Sequence, residues 1–193
     1  MILQTVLLFG PPGSGKGTQA KRLEISLRAV HISTGDMFRD HLSRRTELGL
    51  KIENLLKSGQ LVPDTVTNEM VRDRLLRPDV ALGTLLDGFP RNIVQAKWLE
   101  LMLGSRGYGI RGVIEMNVPR EQLIDRLKGR ALKEGRADDA DEAVIRRRLD
   151  TYAAQTEACL GFYKEAKKRV HAIDGVGTVD EVAARILKAL GAR

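Results

Sequence analysis

The sequence holds a single cysteine, Cys159, so it can form neither an internal disulfide nor a zinc site built on four thiolates. Its position in an apolar helical pattern marks that thiol as a core residue. The three histidines, His31, His41 and His171, are scattered, and no Ser/His/Asp arrangement accompanies them; each reads as a packing or surface residue. Aromatic residues make up only 4% of the chain, which leaves few rings on which the bases of a single-stranded nucleic acid could stack. No stretch approaches the long uncharged apolar run of a membrane span. The opening MILQTVLLFG lacks a basic leader and reads as a first strand rather than a signal peptide, so a cytoplasmic protein without membrane contact is expected.

What is present points to one globular domain: 193 residues, 42% hydrophobic and 30% charged. Lys and Arg exceed Asp and Glu by 32 to 25, a balance of +7 that suits a polyanion of any kind. The basic residues are dispersed among acids rather than gathered in a tail. Short apolar runs (TVLLF, AVHIS, GTLLDG, GVIEMNV, VHAID) alternate with helical patterns, which predicts an α/β fold with a parallel five-stranded sheet flanked by helices. Thr178 and Glu181 form a capping box for a last helix, and Pro119 opens another whose buried side carries Leu123, Ile124 and Leu127. From about Thr34 to Arg77 the chain is helical for longer than a simple crossover needs, with one helix ending near Ser58 and Gly59 and the next starting at Pro63 and Asp64. Part of this excursion, residues 33–62, is expected to be a small insert over the sheet edge.

Chemistry enters at FGPPGSGKGTQAKRL. Gly10, Gly15 and Lys16 fit the spacing GxxxxGK between a predicted strand and a predicted helix, the context in which glycine-rich backbone, helix N-terminus and a mobile lysine together cradle phosphate. Gly17 stands where the usual pattern has Ser or Thr, and the hydroxyl moves to Thr18. In this form, GPPGSGKGTQ resembles the loop of the nucleoside monophosphate kinases, and HISTGDMFRD, GQLVPD and TLLDGFPRNIVQA extend the resemblance to the adenylate kinase family over essentially the whole chain.

That resemblance implies a P-loop NTPase-type kinase domain spanning 1–193, with 33–62 as the monophosphate-binding insert and 130–140 as a short lid. It assigns ATP to Gly13, Ser14, Gly15, Lys16, Gly17, Thr18, Arg126, Arg130 and Gly177. It assigns AMP to Thr34, Arg39, Leu61, Val62, Gly88, Arg91, Gln95, Arg136 and Arg148. Lys16, Arg91, Arg126, Arg136 and Arg148 would act on the transferring group, and Asp87 would hold Mg2+ through water. The implied reaction is reversible transfer from ATP to AMP, by a monomer without structural zinc and with nucleotides rather than nucleic acid as partners.

Two points stay open on the residues alone. Thr34 and Gln95 match the AMP-accepting pattern, whereas Asn92 is a residue that UMP/CMP kinases favour. Counting forward from Asp139 makes Arg147 the last catalytic arginine, while counting back from LDTY makes it Arg148, and the longer downstream match favours Arg148. A basic P-loop module binding nucleic acid is the alternative of another class, but it gives GFPR and the lid arginines no role.

Overall fold

In β1 (Leu3–Phe9) the residues Val6, Leu7, Leu8 and Phe9 are all buried, as in a strand covered on both faces. The computed structural model describes residues 3–192, and within them β1 lies at the centre of a parallel sheet. The other strands are β2 (Val30–Ser33), β3 (Thr84–Asp87), β4 (Tyr108–Asn117) and β5 (Val170–Asp174). Their order is β2-β3-β1-β4-β5, every pairing parallel. β4 starts earlier than the run GVIEMNV suggests, because Tyr108–Ile110 pair with Leu3–Thr5 before a register shift at Thr5/Val6.

The helices are α1 (Lys16–Leu27), α2 (Thr34–Ser43), α3 (Glu47–Lys57), α4 (Asp64–Leu75), α5 (Ile93–Gly104), α6 (Arg120–Glu134), α7 (Glu142–Thr151), α8 (Glu157–Glu165) and α9 (Val179–Ala189). Alternation along β1 divides the core between the two faces of the sheet. Leu7 and Phe9 pack with Leu99 and Leu103 of α5, Leu160 and Tyr163 of α8, and Val71 and Leu75 of α4. Val6 and Leu8 face Ala20 and Leu23 of α1 and Val182 and Ile186 of α9. Each such Leu, fully withdrawn from water, contributes about 1.5–3 kcal/mol relative to exposure. Cys159 lies in the first of these layers, and burial pushes its thiol up to about 12.

Two satellite clusters stand off the sheet. Phe38, Ile52, Val62 and Met70 give α2, α3 and the start of α4 a small core of their own. Leu123, Leu127, Ile145 and Leu149 join α6 to α7. The expected helix starts hold in detail: Pro119 precedes α6, and Thr178 and Glu181 exchange both hydrogen bonds of a capping box at α9. A π-helical turn at Tyr152–Thr156, without a signal in the sequence pattern, links α7 to α8. No helix among the described residues is long and apolar enough to cross a membrane.

Candidate active site

In a parallel sheet of this kind the carboxyl ends of the strands form the natural crevice, and the glycine-rich loop follows β1 there. Gly10 has φ +150, and a Cβ on it would stand 2.6 Å from Ser14 Oγ and 3.0 Å from Met116 O, so only glycine lets the loop turn against β4. Gly13 lies against α6, with 2.9 Å from its would-be Cβ to Leu123 O. Gly15 precedes α1 in the left-handed conformation and no side chain caps the helix, so the first-turn N–H groups stay directed at the loop mouth. Thr18 is exposed on that turn.

Lys16 curls back into this loop. Its Nζ donates to Gly10 O at 2.7 Å, Pro11 O at 3.0 Å and, more loosely, Ser14 Oγ at 3.4 Å. Desolvation by the surrounding protein pushes the ammonium down to about 8, opposed by Asp87 and assisted by Arg91, Arg130 and Arg148. Those four groups come from β3, the turn after it, α6 and α7, and all act electrostatically on the lysine of the cradle.

Asp87 closes β3 directly beside the loop. A Cβ on Gly17 would sit 3.5 Å from Asp87 Oδ2. Burial opposes the carboxylate's charge, but His31 and then Lys16 outweigh it and hold the group below the usual carboxylate range. His31 Nε2 lies 3.5 Å from Asp87 Oδ2, at the outer limit of a hydrogen bond. Register explains the meeting: β2 and β3 are neighbours, with His31 opposite Leu85 and Ser33 opposite Asp87.

A buried, ionised carboxylate at the phosphate end suits Mg2+, which keeps several waters and takes one or two protein carboxylates with substrate phosphates. Among the described residues no group of three or more His, Cys, Asp or Glu side chains gathers to hold a metal ion.

On the other side of the gap, Gly88 O (φ +77) accepts from Thr34 Oγ1 at 2.9 Å and from Arg91 Nε at 2.8 Å. Arg91 is held with its charge disfavoured, chiefly by burial and then by Arg148, against the pull of Asp87. Arg39, one turn into α2, pairs with Asp36 and acts electrostatically on Arg91. Leu61 is half-buried, whereas Val62 turns into the small core with Phe38, Ile52 and Met70.

Gln95 is buried; its Oε1 accepts from Arg91 N at 2.8 Å and its Nε2 donates to Asp64 Oδ1 at 2.7 Å. Asn92 caps α5 by accepting from Gln95 N, and its Nδ2 also donates to Asp64 Oδ1 at 2.8 Å. The amide of Asn92 thus has a local structural task, which accounts for it without a pyrimidine acceptor.

The third wall is built on α6 and α7. Asp139, fully buried, takes Arg130 Nε at 2.6 Å and pairs with Arg148, which also reaches Asp138 Oδ2 at 2.9 Å. Burial raises the cost of the Asp139 charge, yet Arg130 and Arg148 together hold it below its ordinary range. For Arg130, burial is likewise overcome by Asp139, and its proton is held more tightly than usual.

Arg147 points elsewhere: its Nη1 donates to Ser58 O at 2.9 Å, tying α7 to the tip of α3. At that contact Gly59, φ +74, comes so near that a Cβ would lie 2.7 Å from Arg148 Cγ. Arg126 donates to Gly175 O at 3.3 Å, facing the loop of Gly177 before α9. Arg136 turns to Glu134 at 2.7 Å and is not among the groups acting on Lys16.

Residues 8–168 match the family model described as ADK, Adenylate kinase. The chain belongs to the adenylate kinase family. It is 50% identical to the adenylate kinase of Mycobacterium tuberculosis over 186 residues, covering 96% of this chain and 98% of that one. Identity is 46% over 185 residues with the adenylate kinase of Kocuria rhizophila (96% and 97% covered) and 46% over 187 residues with that of Stenotrophomonas maltophilia (97% and 99%). Two members of the site lie inside the matched stretches but are given no role by them: Asp64, the last residue of GQLVPD, which receives two side-chain amides, and His31, the first of HISTGDMFRD, beside Asp87. An Asp at a helix start is ordinary, and a lone His on a strand is ordinary; only strand order and helix packing bring either to the cleft.

Proposed function

We propose that the chain catalyses reversible phosphoryl transfer from Mg·ATP to AMP, giving two ADP, with the residues of the cleft in the following roles. Gly13 to Thr18, Arg126, Arg130 and Gly177 hold ATP. Thr34, Arg39, Leu61, Val62, Gly88, Arg91, Gln95, Arg136 and Arg148 hold AMP, within an insert of residues 33–62 and under a short lid of 130–140. The observation that carries this reading is the convergence of Lys16, Arg91, Arg130 and Arg148 around one phosphate cradle.

Two polyanions must meet there end to end. Two unit charges at 4 Å interact by about 1 kcal/mol in water but about 4 kcal/mol at an effective dielectric of 20, so their repulsion grows as water leaves. Cations that arrive with the closing walls offset that growth, and the exclusion of water protects the phosphoryl group from hydrolysis. Lys16 leaves the loop carbonyls for phosphate oxygens. The arginines hold the equatorial oxygens while the bond from the γ-phosphorus to the β-phosphate oxygen breaks and the bond to the AMP oxygen forms. The AMP oxygen is already anionic, so no general base is required. Asp87 would hold Mg2+ through water, and the ion would supply charge neutralisation of the donor oxygens. The working unit in this reading is a monomer.

Coupled assays with AMP, UMP and CMP as acceptors test the reading. AMP is expected to be turned over fastest, with ADP formed in a Mg2+-dependent manner. Faster turnover of a pyrimidine nucleotide reverses the acceptor assignment, and no ADP from ATP and AMP rejects the proposal.

A further inference from the structure

Asp64 sits in the first turn of α4, in a helical segment that touches no phosphate group of the proposed reaction, yet one of its oxygens receives both Gln95 Nε2 (2.7 Å) and Asn92 Nδ2 (2.8 Å). Gln95 is buried and its other end accepts from Arg91 N at 2.8 Å. A backbone N–H can only donate and an ionised carboxylate can only accept. Between them the amide has one permitted orientation: oxygen toward Arg91, nitrogen toward Asp64. Turned over, Nε2 would meet the Arg91 N–H and Oε1 would meet the carboxylate, two repulsive contacts in a buried place.

We infer that Asp64 is a positioning residue for acceptor-base selection, locking the Gln95 amide in the orientation that complements adenine and opposes 6-oxopurines. This rests on Gln95 being the base-facing amide. In the locked orientation the inventory of the amide leaves one lone pair on Oε1 and one hydrogen on Nε2. The adenine edge offers the matching pair, an amino donor beside a ring-nitrogen acceptor. Hypoxanthine and guanine offer the reverse, a carbonyl acceptor beside an N–H donor, and would be served only by the flipped amide. Discrimination of this kind, in which the wrong base leaves buried polar groups unpaired, reaches orders of magnitude.

The test compares AMP with IMP, which differ only in that edge, by kcat/KM in wild type, Asp64→Ala, Asp64→Asn and Gln95→Ala. Asp64→Ala frees the amide to turn, and the AMP:IMP ratio is expected to fall by about tenfold, the scale of one net hydrogen bond, with KM for AMP raised and KM for ATP unchanged. Asp64→Asn keeps an acceptor oxygen and is expected to retain the ratio, even though loss of the charge at the start of α4 lowers thermal stability. If Asp64→Ala does not fold, Asp64→Ser takes its place, its hydroxyl being too short to reach Gln95. An unchanged ratio in Asp64→Ala (or Ser) together with a collapsed ratio in Gln95→Ala overturns the inference alone. Equal loss of the ratio in Asp64→Asn and Asp64→Ala also overturns it, since the effect is then one of charge. An unchanged ratio in Gln95→Ala removes Gln95 from base reading and the inference with it.

Discussion

Two sets of cations face the same gap and are held in opposite ways. Lys16 and Arg91 rest on backbone carbonyls, of Gly10 and Pro11 for the one and Gly88 for the other, and burial makes the charge of each costly. Arg130 and Arg148 share the fully buried Asp139, and Asp138 gives Arg148 a second carboxylate, so that their charges are largely compensated. The first set gains directly when phosphate arrives, because a carbonyl dipole is exchanged for full negative charge. The second already has a carboxylate and is oriented by it, so its contribution is geometric as much as electrostatic. Poised charge on the strand side and pre-aimed charge on the helix side together make a cradle that is strong toward phosphate and stable without it.

The contrast is tested most severely by Lys16→Met. Turnover is expected to fall by about a thousandfold or more, as for loss of a principal transition-state cation. Thermal unfolding should show no loss of stability, since a buried charge has been removed. Near-normal turnover removes Lys16 from the mechanism, and a large drop in melting temperature shows that the lysine is a structural pillar instead.

Arg148→Ala and Arg147→Ala come next, as steady-state rates measured side by side. Arg148 is held by Asp138 and Asp139 and acts electrostatically on Lys16 and Arg91, and its loss should lower kcat by about 10²–10³-fold. Arg147 binds Ser58 O on the exposed side, and its loss should change the rate by no more than about twofold, as for most surface groups. The reverse order makes Arg147 the last catalytic arginine.

The smallest effect is a proton. Lys16 has a folded value of about 8 against an ordinary 10.5. Below the folded value the lysine is charged in both states and its burial burdens the folded one; between the two values the unfolded chain binds more protons, so this contribution to stability rises with pH. Phosphate favours the charged form and raises the folded value again. ATP binding at about pH 9 should therefore take up a fraction of a proton, read as a dependence of calorimetric heat on the ionisation enthalpy of the buffer. Lys16→Met should lose that uptake, and proton release by the wild type contradicts the account.

The parts of this site legible in the sequence are those made by local chemistry. Gly10, Gly15 and Lys16 announce the cradle because their spacing is the geometry, and Thr178 with Glu181 announces α9 because a capping box needs only four residues. Asp87 was legible as a carboxylate ending a strand. The preference for Arg148 over Arg147 could be drawn from LDTY, but the reason the two differ lies in how α7 presents one side chain to Asp139 and the other to Ser58. The partners of His31 and Asp64 escape a linear reading, although both residues lie in matched stretches: His31 needs β2 to lie beside β3, and Asp64 needs α4 to pack across α5. Tyr152–Thr156 escapes for another reason, since its π-helical turn leaves the apolar periodicity of the flanking helices intact.

Gly59 has one more effect. The turn after α3 and the flank of α7 come together at a residue that brings only hydrogen to the meeting, and an added methyl would lie 2.7 Å from Arg148 Cγ. Relief of that overlap, about 1 Å short of ordinary carbon–carbon contact, would push the stem of Arg148 off its line and with it the guanidinium that Asp139 aims.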